Sequence, residues 1–217
     1  MKVILDYLAK SKDEDTLLSL LRLLLALTAT SQPISHALCD NTPLLSHLFS
    51  LLRACPHSAH PSLCAFSPRL LLYLLSLLRA LLHHTPSPKH RLLSDAHLPA
   101  YLSSTLLPLY YTSNTADEEL SSTLLSLLTA ILRDETEYKR VVGPAIVNAL
   151  CEVCERCDIR GLKCLVVVIM RCRENVEIVR EHAGGVRDRL VKRVKAERDR
   201  EVRDKCKQII EIIDSFE

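Results

Sequence analysis

Leu70-Leu71-Leu72-Tyr73-Leu74-Leu75-Ser76-Leu77-Leu78-Arg79-Ala80-Leu81-Leu82 holds one charged residue and no break. Leucine is among the strongest helix formers, and a run of this length is too short to span a bilayer, which needs about 20 apolar residues. The stretch therefore predicts a helix that is apolar nearly all round. Residues 17–27, 120–132 and 162–170 repeat the pattern. A fifth segment, 202–216, instead carries a one-sided stripe of Val202, Cys206, Ile209, Ile210, Ile213 and Phe216. A helix apolar all round must be covered on several sides, whereas a striped one can close the end of a stack.

The whole chain agrees with this reading. Its 217 residues are 48% hydrophobic and 25% charged, with no Trp, 4 Gly, 10 Pro and 9 Cys. That is enough for a core of ordinary size and too apolar for disorder. About 43 residues are Leu, nearly all of them before position 151, after which Val, Ile, Arg and Glu take over. So much Leu with so little Gly and aromatic residue favours helices over sheets. Four glycines furnish no phosphate-binding loop, since the only adjacent pair, Gly184-Gly185, is followed by Val-Arg-Asp, and this excludes the nucleotide-binding α/β enzymes. The start, Met1-Lys2-Val3-Ile4-Leu5-Asp6, lacks the uninterrupted apolar stretch of a signal peptide. Nine cysteines, mostly within helical patterns, read as reduced thiols, so a cytoplasmic or nuclear location is expected. A net charge of +2 points to no particular polyanion.

Each of the first four long segments is followed by the same grammar: a short polar loop, about two turns of amphipathic helix, a sharp break, and a longer amphipathic helix. The breaks are Asp40-Asn41-Thr42-Pro43, Asp95-Ala96-His97-Leu98-Pro99, Gly143-Pro144 and Gly184-Gly185. Proline suits the first positions of a new helix, where its missing N–H costs nothing. Thr42 and Asp158 are the expected N-caps. The breaks recur about every 41 to 56 residues, overlapping the period of about 40–47 residues found in helical-repeat solenoids.

Here the sequence resembles the armadillo family of the armadillo/HEAT class. Residues 34–48, Ile-Ser-His-Ala-Leu-Cys-Asp-Asn-Thr-Pro-Leu-Leu-Ser-His-Leu, read like its short first helix, tight turn and second helix. Residues 179–190 are closer still to the junction in which Glu and Gly-Gly precede a hydrophobic residue. The resemblance implies an all-α, right-handed α-solenoid of about four repeats plus a leading third helix, with the long apolar helices as third helices lining the concave face. It implies a single helical-repeat domain over residues 1–217, Leu-rich through 133 and Arg/Glu/Val-rich from 134. It is specific for fold and unspecific for function.

The third helices repeat a tetrapeptide: Ser19-Leu20-Leu21-Arg22, Ser76-Leu77-Leu78-Arg79 and Ser126-Leu127-Leu128-Thr129. Residues three apart share a helical face, so Arg22, Arg79 and Thr129 are expected as a ladder along the groove, offering donors to an acidic or extended partner. The alternative is a solvated edge. Ser50-Leu51-Leu52-Arg53 falls on a second helix, so the tetrapeptide also arises from plain Leu-rich amphipathicity. Arg133, Arg187 and Lys192 join the candidate partner contacts. Between Arg180 and Lys207 stand 11 basic and 6 acidic side chains, either a docking face for an acidic partner or the polar outer side of a terminal repeat.

Cys151, Cys154 and Cys157 make two CxxC steps, the weak metal candidates of the chain. The favoured reading is small side chains on one face of a continuous helix, packed between repeats. Residues 55–64 combine two His with two Cys, at a spacing that fits no common zinc module, and read as a polar loop. No cofactor is expected. His83, His84 and His90 read as exposed residues near a helix end. No nucleophile elbow is present, and the acidic clusters Asp13-Glu14-Asp15 and Asp117-Glu118-Glu119 suit helix N-termini.

The leading expectation is thus a non-catalytic scaffold or adaptor whose partner is a protein, within a larger complex or a chaperone. No membrane and no small-molecule substrate enter. Nucleic acid is disfavoured because no aromatic platform accompanies the basic residues. The importin branch of the family reads basic peptides with Trp on its third helices, and this chain has none. The runner-up rests on resemblance to armadillo-type nucleotide-exchange factors for the seventy-kilodalton heat-shock chaperone, which would loosen ADP by preferring the open state.

Overall fold

The computed structural model describes residues 2–11, 13–54, 67–84, 87–94, 101–107, 118–182 and 185–216. They form two compact units, Met1–Leu98 and Pro99–Glu217. Among the described residues every regular element is helical: α1 (Lys2–Lys10), α2 (Glu14–Thr30), α3 (Gln32–Cys39), α4 (Thr42–Ala54), α5 (Pro68–His84) and α6 (Ser87–Ser94) in the first unit. The second holds a π-helical turn (Leu102–Leu106), α7 (Glu118–Leu132), α8 (Thr136–Glu152), α9 (Ile159–Ile169), α10 (Arg173–Glu181), α11 (Val186–Ala196) and α12 (Arg200–Asp214). No described helix is long and apolar enough to cross a membrane.

The helices expected as third helices are present in order along the chain: α2, α5, α7, α9 and α12. In the first unit α5 packs against α2, α3 and α4, and buries Leu70, Leu71, Leu74, Leu75, Leu77, Leu78 and Leu81 on nearly all sides. The α2 helix differs from expectation. It buries Leu17, Leu18, Leu21 and Leu24 but leaves Leu23 44% exposed, because its neighbours α1, α3 and α5 cover one side of it. Polar side chains tie the unit at helix ends. Asp13 caps α2 by accepting from the Thr16 amide at 2.9 Å, His47 Nε2 lies 2.9 Å from the Leu8 carbonyl, and Ser67 bonds Glu14 through both its amide and its hydroxyl.

Two N-caps were expected and one stands. Asp158 accepts from the Gly161 amide at 2.8 Å, whereas α4 is capped by Asn41, whose Oδ1 accepts from the Leu44 amide at 2.9 Å while Thr42 is already helical. The breaks at 40–43 and before Gly185 stand, with Gly185 at φ +60°, a conformation that only glycine takes without steric cost. The break at 95–99 lies outside the described residues.

The break at Gly143-Pro144 does not exist. Helix α8 runs through both residues and joins what would be a first and a second helix. Proline inside a helix removes one hydrogen bond and costs about 3 kcal/mol. At this turn Asn175 inserts from α10, its Nδ2 donating to Lys139 O at 2.9 Å and to Val168 O at 3.1 Å. Gly143 makes the room, since a Cβ there would lie 2.1 Å from that nitrogen. The glycine serves a close approach and not a helix stop.

Candidate binding groove

In the second unit α9 packs against both α7 and α12, so the three third helices present their uncovered strips on one side. These strips and the junctions after α7 and α9 enclose a groove of about 510 Å³. Helix α7 contributes Thr129, with Arg133 just past its end; α9 contributes Lys163 and Val167, with Met170 as its C-cap; and α12 contributes Lys205 and Gln208. The spacing of three to four within each helix is what a third helix leaves open once its other sides are packed. Met170, 38% exposed, and the half-buried Val167 give the groove an apolar floor.

The charged side chains of the lining are mostly cationic. Asp134, Lys139 and Arg171 come from the junctions and from the start of α8. Lys139 is buried and its Nζ donates to the Met170 carbonyl at 3.0 Å, which fixes the ammonium at the wall. Lys163 pairs with Glu201 at 2.6 Å, and Lys205 donates to Gln208 Oε1 at 2.8 Å. Asp134 and Arg171 occupy the same step in successive repeats, just past a third helix, and both have left-handed backbone, at φ 66° and 60°. A glycine would cap the preceding helix there without the penalty a side chain incurs.

Of the residues expected at a site, the structure brings Thr129 and Arg133 into this groove. The Thr129 hydroxyl donates to Leu125 O at 2.7 Å, so it offers a ligand its lone pairs and not its proton. Ser19 and Ser126 likewise bond back to their own helices, at 2.8 Å each. Arg22 and Arg79 are exposed on the packed pair α2 and α5 of the first unit, where Arg22 lies 4.9 Å from the Tyr73 ring centroid. That cation–π contact escaped the sequence reading, although Tyr73 was in view. Arg187 is held by Asp214, its Nε and Nη2 donating to the two carboxylate oxygens at 2.7 and 2.9 Å. Lys192 is exposed on α11, away from the groove. His83 is exposed in the last turn of α5, whereas His90 is exposed in the middle of α6.

Several arginines of the basic tail are committed inside the unit. Arg193 donates to Cys154 O and Cys157 O, both at 2.7 Å, and Arg189 donates to Cys151 O at 2.9 Å. Arg193 thus holds the turn that follows α8, while Arg189 caps the carboxyl end of α8 itself, where the helix dipole favours a cation. Arg180 does the same for α12, donating to Ile213 O at 2.7 Å.

Arg189 and Arg193 also revise the expectation for the cysteines. Helix α8 ends at Glu152, so Cys151, Cys154 and Cys157 descend through a turn and not along one continuous helix. All three are buried and outside any disulfide, and among the described residues no group of three or more His, Cys, Asp or Glu is placed to hold a metal ion. Burial, reinforced by Cys154, pushes the Cys151 thiol up to about 12, and burial also raises Cys154 and Cys206. Such thiols stay protonated and unreactive at neutral pH. The Cys/His loop at 55–64 lies outside the described residues.

No family model matches the sequence, and no curated protein matches it either. Solved structures do match the fold. An engineered protein known from its crystal structure superposes with a TM-score of 0.68 at 13% identity, over 99% of this chain and 96% of its own. Computationally designed armadillo repeat proteins for modular peptide recognition superpose with a TM-score of 0.71 at 15% identity, over 96% of this chain and 80% of theirs. The fold is an armadillo-type helical-repeat solenoid.

Proposed function

We propose that the chain is a non-catalytic binding module that holds an extended segment of a partner protein in the groove across α7, α9 and α12, as part of a scaffold or adaptor. One observation carries this reading: three consecutive third helices leave a continuous strip of uncovered side chains around about 510 Å³ of open volume. A solenoid whose repeats touch only their neighbours can vary such a strip without disturbing its core. The likeness to designed proteins made for peptide recognition supports the same reading at the level of fold. The buried, protonated cysteines support it from the chemical side, since they offer no nucleophile. The fold carries the reading no further toward a chaperone partner, because a solenoid is specific for shape and not for ligand.

The test is an unbiased peptide-display selection against the purified protein, followed by the same binders against Met170→Trp, which fills the groove without changing its charge. Selected peptides should lose binding to that variant while its helical circular dichroism is unchanged. A selection that yields no binder, or binders indifferent to Met170→Trp, refutes the groove.

A further inference from the structure

The charges around the groove are unequal. Arg133, Lys139, Lys163, Arg171 and Lys205 face one carboxylate, Asp134. Lys163 has a partner in Glu201, and the lining itself stays rich in cations with that carboxylate counted. The whole chain is nearly neutral at +2, so this is a local concentration of charge and not a sample of the surface.

Arg171 adds a second, independent observation. It holds φ 60° at the step just past α9, where glycine would sit without strain. The chain therefore places a long cationic side chain on the rim of the groove at a cost in backbone energy, a pattern found where strain is kept for a function. At the corresponding step past α7 the left-handed residue is Asp134, and Arg133 beside it supplies the cation. The two arginines thus fall within one residue of the same step, just past consecutive third helices, beside the apolar Val167 and Met170.

We propose that this groove takes an extended acidic segment of a partner protein, whose carboxylates meet Arg133 and Arg171 while an intervening apolar side chain rests on Met170. The inference rests on the groove reading and narrows it to one ligand chemistry. Packed helices lie about 8–10 Å apart, so three of them span about 20 Å, which an extended chain covers with about six residues at about 3.3 Å each. Each helix step then corresponds to two or three ligand residues, which sets acidic side chains in alternation with apolar ones.

The test uses the full chain and three end-labelled octapeptides, alternating leucine with glutamate, lysine or glutamine, read by fluorescence anisotropy. The glutamate peptide should bind, and weaken as salt rises, because screening shortens the reach of exposed charges to about 3 Å at 1 M. Arg133→Gln together with Arg171→Gln should weaken it about five- to tenfold, from two exposed ion pairs. Lys10→Gln, exposed at the end of α1, should leave it unchanged. Arg171→Gly separates function from structure: it should raise the thermal midpoint by about 2–4 °C by removing backbone strain, yet weaken the glutamate peptide. If the glutamine or lysine peptide binds as tightly as the glutamate one and Met170→Trp abolishes it, the groove stands and its acidic preference is overturned. If none of the three binds, or Arg171→Gly binds the glutamate peptide as well as the parent does, the proposal is overturned, while the display selection judges the groove by itself.

Discussion

The two units build the same helical grammar from different materials. In Met1–Leu98 the third helix α5 is enclosed by leucine on nearly every side. In Pro99–Glu217 the interior is still apolar, but Arg180 and Arg189 also reach the carboxyl ends of other helices, and Arg193 the turn that follows α8. Leucine burial is non-directional and sums over area, so it sets how strongly helices adhere. A guanidinium on a carbonyl is directional and sets which turn meets which. The compositional shift near residue 151 therefore marks a change in how register is held.

The comparison is broken most severely inside the leucine core. Leu77 is fully buried on α5 while Arg79, two residues on, is exposed. Leu77→Asp places an unpaired charge in the interior and should cost about 5 kcal/mol or more, enough to unfold or aggregate the protein. Arg79→Glu should change stability by no more than about 0.5 kcal/mol. Thermal melts followed by circular dichroism decide it. Equal damage from both would mean that the rotational setting of α5 is wrong.

A smaller effect is expected from the arginine clasps. Arg193→Ala removes two charged donors and leaves the carbonyls of Cys154 and Cys157 to find water, which should cost about 2–3 kcal/mol and lower the midpoint by about 5–10 °C. Arg22→Ala loses only an exposed contact with Tyr73, worth about 0.5–1 kcal/mol. Comparable losses in the two variants would erase the distinction between the units.

Particular residues show what could be read in advance. The all-round apolar stretch at 70–82, the cap at Asp158 and the glycine before α11 are local signals, and local physics placed them correctly. Gly143-Pro144 misled because the pair is ambiguous within one helix: only Asn175, 32 residues away, shows that the glycine makes space for a side chain. Thr129 could be assigned to a third helix from spacing alone, with Arg133 just past its end. Lys139, Lys163, Arg171 and Lys205 could not, since they meet from four segments and only the packing of α7, α9 and α12 brings them to one groove. Arg189 and Arg193 were legible as basic residues but not as caps, because a charged side chain at i and i+4 looks the same whether it faces water or a carbonyl.

The smallest expected effect concerns the ion pair that holds the last helix. Hydrogen bonds from Arg187 hold the Asp214 carboxyl below the usual carboxylate range. A carboxylate whose folded value is depressed contributes stability above its unfolded value of about 3.9 and loses it as pH falls through the folded value. Asp214→Asn should therefore melt slightly below the parent protein at pH 7, and the gap should close as pH drops below about 4. Both side chains are at least a third exposed, so added salt should narrow the same gap at pH 7. A gap that persisted unchanged at pH 2 would show that the asparagine acts through packing and that the pair contributes no charge-dependent stability. A gap that closed with acid but ignored salt would leave the bidentate hydrogen bonds, and not the net charges, as what secures α12 to α11.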